Sequence, residues 1–229
     1  MPKVAVCLSG CGFLDGAEIH EAVLTLLALD QAGAAYVCCA PNTQQADVVD
    51  HARGKPAAET RNVLTESARI ARGEIRNVAD VRAEEIDALI FPGGYGAAKN
   101  LCDFAARGAD CTVNPDVERL AAAMLRARKP IGAICIAPAL LARIVGKLDL
   151  HPKLTIGTDK GTADAINRMG ATHCDCGVRD MVVDEAHKIV STPAYMLGKG
   201  PAEVFEGIRK LVAEVLRLCG TPVAAQYHI

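Results

Sequence analysis

A cysteine placed where an apolar run turns into a helical one is the most reactive arrangement this sequence offers. In residues 129–140, KPIGAICIAPAL, the apolar run ends at Cys135 and small residues, a proline and a helix-like apolar series follow at once. The spacing predicts a strand-to-helix turn with the thiol at its apex. Such a turn forces the side chain out over the carboxyl end of a sheet, while the next backbone N–H groups face whatever the sulfur attacks. Gly132 and Ala137 leave room for a tight approach. Pro138 suits the first helical turn, where its missing N–H has no partner to lose. A helix N-terminus favours thiolate over thiol, so a lowered Cys135 pKa is expected. An apolar-flanked cysteine is also a common core residue, so the rest of the chain must decide between the two readings.

Two further stretches carry groups that complement a thiol. Glu18 and Glu21 lie three apart in the first turns of an expected helix, which makes their side chains neighbours. Glu21 falls in apolar surroundings, where a carboxyl has its pKa raised and can shuttle a proton. Glu18 equally suits the helix dipole, and His20 between them reads as exposed or structural. Pro92-Gly93-Gly94-Tyr95-Gly96 follows another apolar run. Without a Cβ at Gly93 or Gly94, a backbone N–H there can face a ligand and, with the amide of Ile136, form an oxyanion hole. An ordinary turn is the plainer reading of that motif alone.

The elements that must position these groups alternate. Residues 3–9 read as a strand, 10–16 as a glycine-punctuated loop, 17–32 as a helix closed by Gly33, and 34–40 as a second strand. Residues 41–58 are a polar excursion, 59–72 a helix, 86–91 a third strand and 114–128 a helix. After the elbow come a short strand at 153–156, a helix at 162–169, strands at 181–184 and 188–191, and an amphipathic helix at 203–218. This is the pattern of an α/β fold, a mostly parallel sheet with helices on both faces and ligands beyond the carboxyl ends of its strands. One domain spanning residues 1–229 is the economical reading. The helix at 17–32 is apolar over most of its circumference, which suggests cover on two sides and a homodimer.

Composition narrows the partners. Lys+Arg 25 against Asp+Glu 27 gives a net charge of -2, so neither nucleic acid nor an anionic membrane surface is expected. No apolar run reaches the ~20 residues that span a bilayer, and residues 1–10 read as a strand and not a signal. Several of the ten cysteines fall inside expected strands, which fits reduced thiols and a cytoplasmic location.

Taken together, residues 9–12 and 15–21, residues 92–101, Cys135-Ile136-Ala137-Pro138 and Thr192-Pro193-Ala194-Tyr195-Met196 resemble the ElbB family, within the ThiJ/PfpI group of class I glutamine amidotransferase-like proteins. The likeness covers nearly the whole chain. It implies a flavodoxin-like three-layer α/β sandwich with a nucleophile elbow, and a cofactor-independent glyoxalase giving glycolate from glyoxal, with debated deglycase activity in the group. By the same resemblance Cys135 is the nucleophile, Glu21 the acidic residue that touches it, and Gly94 and Ile136 the backbone donors. One departure is informative. Ile136 stands where amidotransferases and protease-like relatives place a histidine, and residues 154–158 supply none either. A Cys-His-acid triad is therefore not expected, nor is glutamine hydrolysis.

Three other readings compete. Cys135 in a regulatory dimer would be oxidised to a sulfenic or sulfinic acid. Gly10-x-Gly12-x-x-x-Gly16 between a strand and a helix resembles a dinucleotide-phosphate loop, although Ala40-Pro41-Asn42 offers no acid for the ribose. His173-Cys174-x-Cys176 clusters donor atoms but lacks a second pair at metal-binding spacing. Neither a cofactor nor a metal is therefore expected, and a small 2-oxoaldehyde is the expected substrate.

Overall fold

In a computed structural model that describes residues 1–220, strands and helices alternate as the sequence demands. The first half contains β1 (Lys3–Cys7), α1 (Ile19–Gln31), β2 (Ala35–Ala40), the short strands β3 (Val49–Asp50) and β4 (Lys55–Pro56), α2 (Val63–Ile70), β5 (Ile75–Asn77) and β6 (Ala88–Phe91). Helices α3 (Tyr95–Lys99), α4 (Phe104–Arg107) and α5 (Pro115–Arg126) lead to β7 (Ile131–Ile134) and α6 (Ala137–Lys147). The remainder is β8 (Lys153–Leu154), α7 (Lys160–Arg168), β9 (Thr172–His173), β10 (Val182–Asp184), β11 (Ile189–Thr192) and α8 (Pro201–Leu218).

Seven strands form one sheet in the order β10-β11-β7-β6-β1-β2-β5, parallel throughout except where β10 pairs antiparallel with β11. Its strands are apolar on both sides because helices cover both faces. Along β1, Val4 and Val6 turn towards Leu29 of α1 and Ile208, Leu211 and Val215 of α8. Ala5 and Cys7 turn to the opposite face, where Leu120 and Met124 of α5 and Leu140 and Ile144 of α6 pack. The chain is thus the three-layer flavodoxin-like α/β sandwich that was expected.

Local chemistry sets the helix ends. Glu18 caps α1 by accepting the Glu21 N–H, and Gly33, with φ +68°, lets the chain leave the helix for β2. Asn114 caps α5 by accepting from the Asp116 and Val117 amides. Gly132 in β7 clears space for α8 rather than for the elbow, since a Cβ there would stand 2.9 Å from Leu211.

One expectation needs correction, and one element was not expected. Only residues 153–154 of the strand expected at 153–156 are extended, and they pair with β9 outside the main sheet. The sheet also has an edge strand, β5, inside a stretch without strand-like alternation. On α1, Ile19, Val23 and Leu27 form an i, i+4, i+8 row that is 43%, 47% and 39% exposed, while the helix packs against α8 on another side.

Candidate active site

Cys135 occupies the bend between β7 and α6 in the left-handed region, with φ +62°. That conformation costs an L-residue roughly 1–2 kcal/mol, and it persists because neighbouring segments fix it. The Cys135 N–H donates to the Thr192 carbonyl at 2.9 Å, continuing the pairing of β7 with β11 one residue into the turn. Ala137 and Pro138 open α6 immediately afterwards. Cys135 as a residue is 7% exposed, and it lines a cavity of about 810 Å³. It is held at the wall of an opening and not sealed among aliphatic neighbours.

Glu21 reaches the same point from α1. Its side chain is fully buried, and both carboxyl oxygens accept backbone N–H groups, Oε2 from Gly93 at 2.9 Å and Oε1 from Tyr195 at 3.1 Å. Burial first, and then the charge of Glu18, push its pKa up to about 8, outweighing the amides and the Cys135 thiol that oppose the rise. An uncharged carboxyl at neutral pH results.

Gly93 permits the three segments to meet. A Cβ on it would stand 2.4 Å from the Cys135 Cβ and 2.6 Å from Glu21 Oε2. Gly94 follows with φ +90°, and a Cβ there would stand 2.4 Å from the Glu18 nitrogen. The backbone amides of Gly94 and Ile136 act on the Cys135 thiol, each drawing its pKa down, so both stand beside the atom at which an oxyanion would form. Gly93, expected as a third donor, serves differently: its N–H is committed to Glu21.

The lowered thiol pKa expected from the helix N-terminus is reversed. Burial, and next the charge of Glu21, push the Cys135 thiol well up, against the two amides. A helix terminus acts mainly through partial charges on a few N–H groups, and here the loss of solvent and a neighbouring carboxyl outweigh it. Thiol and carboxyl consequently titrate as a pair. A monoanion of the pair would hold its remaining proton between the carboxyl and the sulfur.

The rest of the cavity wall comes from loops and from the first turns of helices. Phe13, Tyr95 and Phe104 contribute rings, and Glu18, Asp159 and Thr162 contribute polar groups. His20 and Tyr195 also line it, joined by a 2.7 Å hydrogen bond between Nδ1 and Oη. Sequence reasoning set His20 aside and gave no part to Asp159 or Thr162. The available signal was positional, because segments that follow strand ends converge on one edge, and Tyr195 lies three residues beyond β11.

The glycine loop does not form a phosphate cradle. Gly10 N–H donates to Ser67 Oγ, Gly12 N–H to the Ala17 carbonyl, Gly16 N–H to the Gly12 carbonyl and Leu14 N–H to His51 Nε2. Asn100 holds the loop down by donating to the Ser9 and Asp15 carbonyls, both at 2.8 Å. Amides engaged this way are not turned towards a pyrophosphate. His173 likewise has a structural task, its Nε2 accepting the Ile156 N–H at 3.3 Å.

No family model matches the chain. Among curated proteins it is 46% identical over 228 residues to the rat ES1 protein homolog, mitochondrial, covering 95% of this chain and 84% of that protein. Identity, length and coverage are the same for the human glutamine amidotransferase-like class 1 domain-containing protein 3, mitochondrial. The chain belongs to this ES1 family of glutamine amidotransferase-like class 1 domain proteins. An ES1-family chain also matches the crystal structure of an isoprenoid biosynthesis protein with an amidotransferase-like domain from Ehrlichia chaffeensis, at 38% identity and a TM-score of 0.90, over 95% of this chain and 99% of that one. DJ-1 proteins of known structure, at 15–20% identity and TM-scores of 0.54–0.57, share the fold alone. The cytoplasmic location expected from the sequence is overturned here, since the rat and human members of the ES1 family are named as mitochondrial. Cysteine usage reports a reducing environment, and that does not single out the cytosol.

Proposed function

We propose that this ES1-family chain is a cofactor-independent glyoxalase of the ElbB type, converting glyoxal and related 2-oxoaldehydes to 2-hydroxy acids, and that it works in the mitochondrial setting its relatives' names indicate. The observation that carries the reading is the buried Cys135–Glu21 pair, set between two backbone amides at the wall of a cavity.

The chemistry uses only these groups. The Cys135 sulfur, as the pair's monoanion, adds to one aldehyde carbon, and the developing oxyanion lies beside the Gly94 and Ile136 amides before taking the shared proton. The product is a hemithioacetal with Glu21 now ionised. Glu21 removes the proton from the hemithioacetal carbon, made acidic by the adjacent carbonyl, and an enediol-like species forms. Return of that proton to the second carbon leaves a hydroxyacyl thioester. One carbon has been oxidised and its neighbour reduced, so no external electron carrier is required. Water cleaves the thioester, releases the hydroxy acid and restores the thiol.

Glutamine hydrolysis is disfavoured because the groups acting on the Cys135 thiol are Glu21, Gly94 and Ile136, with no histidine among them. The test is glycolate production from glyoxal, followed by NMR on the wild type and on Cys135→Ala, with glutamine as a parallel substrate. Glycolate from the wild type alone supports the reading. Peroxide oxidation of Cys135 without glyoxal turnover would assign the thiol to regulation instead.

A further inference from the structure

The cavity beside Cys135 is larger, and more one-sided in charge, than a two-carbon dialdehyde requires. At about 810 Å³ it falls in the size range that encloses drug-sized ligands. Its charged carboxyl lining is Glu18 and Asp159, and among the described residues no lysine or arginine lines it. Lys99, 5.7 Å from the Tyr95 ring centroid, is committed to Asp47 Oδ2 at 2.8 Å and the Leu14 carbonyl at 3.0 Å.

The negative charge is built in. Asp159 caps α7, its Oδ1 accepting the Thr162 N–H at 2.8 Å, and its bonds to Thr162 hold its carboxyl below the usual range. Tyr195 on the same wall has its phenol pushed up by burial and then by Glu18, Glu21 and Glu203. The aromatic rings add to this, since ring faces attract cations by roughly 0.5–1 kcal/mol at exposed sites.

Resting on the thiol–carboxyl reading above, we infer that the site takes 2-oxoaldehydes whose far end is an apolar body carrying positive charge, and discriminates against anionic ones. The aldehyde end reacts at Cys135 as already described. The cationic end undergoes no covalent change; it lies among the rings and the carboxylates of Glu18 and Asp159.

Three arylglyoxals test this, bearing para-trimethylammonium, para-hydrogen or para-carboxylate groups. A quaternary ammonium cannot condense with the aldehyde. The cationic compound is expected to exceed the anionic one in kcat/KM by about tenfold at low ionic strength, with the ratio shrinking as salt screens the rim. Because para substituents also alter the reactivity of the aldehyde, the diagnostic quantity is how that ratio responds to salt and to Asp159→Asn. Asparagine keeps the helix cap and removes the charge, so the ratio should narrow several-fold. A ratio unmoved by either change overturns the inference.

Binding separates this outcome from the underlying reading. The matching acetophenones, which lack the aldehyde, are titrated into Cys135→Ala by calorimetry. Preferential binding of the cationic acetophenone, with no arylglyoxal or glyoxal turned over by the wild type, would uphold the charge preference and remove the glyoxalase reading. Glyoxal turnover with no preference in either assay would do the reverse.

Discussion

Glu21 Oε2 accepts the Gly93 N–H at 2.9 Å, on the side of Gly93 where an added Cβ would lie 2.6 Å from that same oxygen and 2.4 Å from the Cys135 Cβ. The glycine therefore has two tasks. It supplies a donor to the carboxyl and leaves the space in which carboxyl and thiol meet. Gly93→Ala is expected to destabilise the fold by about 1–3 kcal/mol through overpacking and to suppress glyoxal turnover. Gly177→Ala, where a Cβ meets nothing within 4 Å, is the control and should leave both unchanged. Denaturant midpoints and initial rates measure the two effects.

Cys135→Ala should lower glyoxal turnover roughly a thousandfold or more, as loss of a covalent nucleophile does. Circular dichroism should remain native, because alanine fills the turn without a new clash. Glycolate formed at the wild-type rate by this variant would remove Cys135 from the chemistry.

Glu21→Gln should slow the reaction by about 10²–10⁴-fold. The amide cannot carry the proton. Its NH₂ group would also oppose one of the two backbone N–H groups, from Gly93 and Tyr195, that the carboxyl now accepts. Loss of the substrate C–H to C–H proton transfer, followed with deuterated glyoxal, would locate the defect in that step.

The raised Glu21 pKa, about 8 against 4.5, gives two signs for pH dependence. Below 4.5 the folded and unfolded chains both hold the proton. Between 4.5 and about 8 the unfolded chain releases it while the folded one retains it, so stability conferred by the neutral carboxyl is lost as pH rises through this window. Activity runs the other way, rising towards pH 8 as the thiol–carboxyl pair yields its first proton. Wild-type denaturation midpoints at pH 5 and pH 8 should differ more than those of Glu21→Gln, and kcat/KM should climb over the same interval. A rate that is flat from pH 6 to 8.5 would contradict the shared-proton scheme.

The exposed row Ile19, Val23 and Leu27 on α1 fits a homodimer contact. Sedimentation should give a dimer for the wild type and a shift towards monomer for Val23→Asp. A wild-type monomer at micromolar concentration would dispose of that expectation.

Much of this site was legible before any coordinates. The elbow could be read because an apolar run, a cysteine, an isoleucine, a small residue and a proline follow one another without interruption. Glu21 stood out as a carboxyl among leucines and alanines, and it is indeed buried. The sign of the Cys135 shift was not legible, since it depends on how much water the folded neighbours exclude. Asp159 and Thr162 were missed because an N-cap and a first-turn threonine read the same in sequence whether they only start a helix, as they do for α7, or also face a cavity. The edge strand β5 escaped for a simpler reason: three residues, Ile75, Arg76 and Asn77, are too few for an alternating pattern to register.

The second amide on Glu21 belongs to Tyr195, 174 positions further along the chain. The Cys135 N–H is tied to the Thr192 carbonyl only three residues before that tyrosine, so one short stretch near the end of the chain finishes both the bend and the seat of the carboxyl. A chain cut before residue 192 would therefore lose the fixed geometry of thiol and carboxyl together, not one after the other.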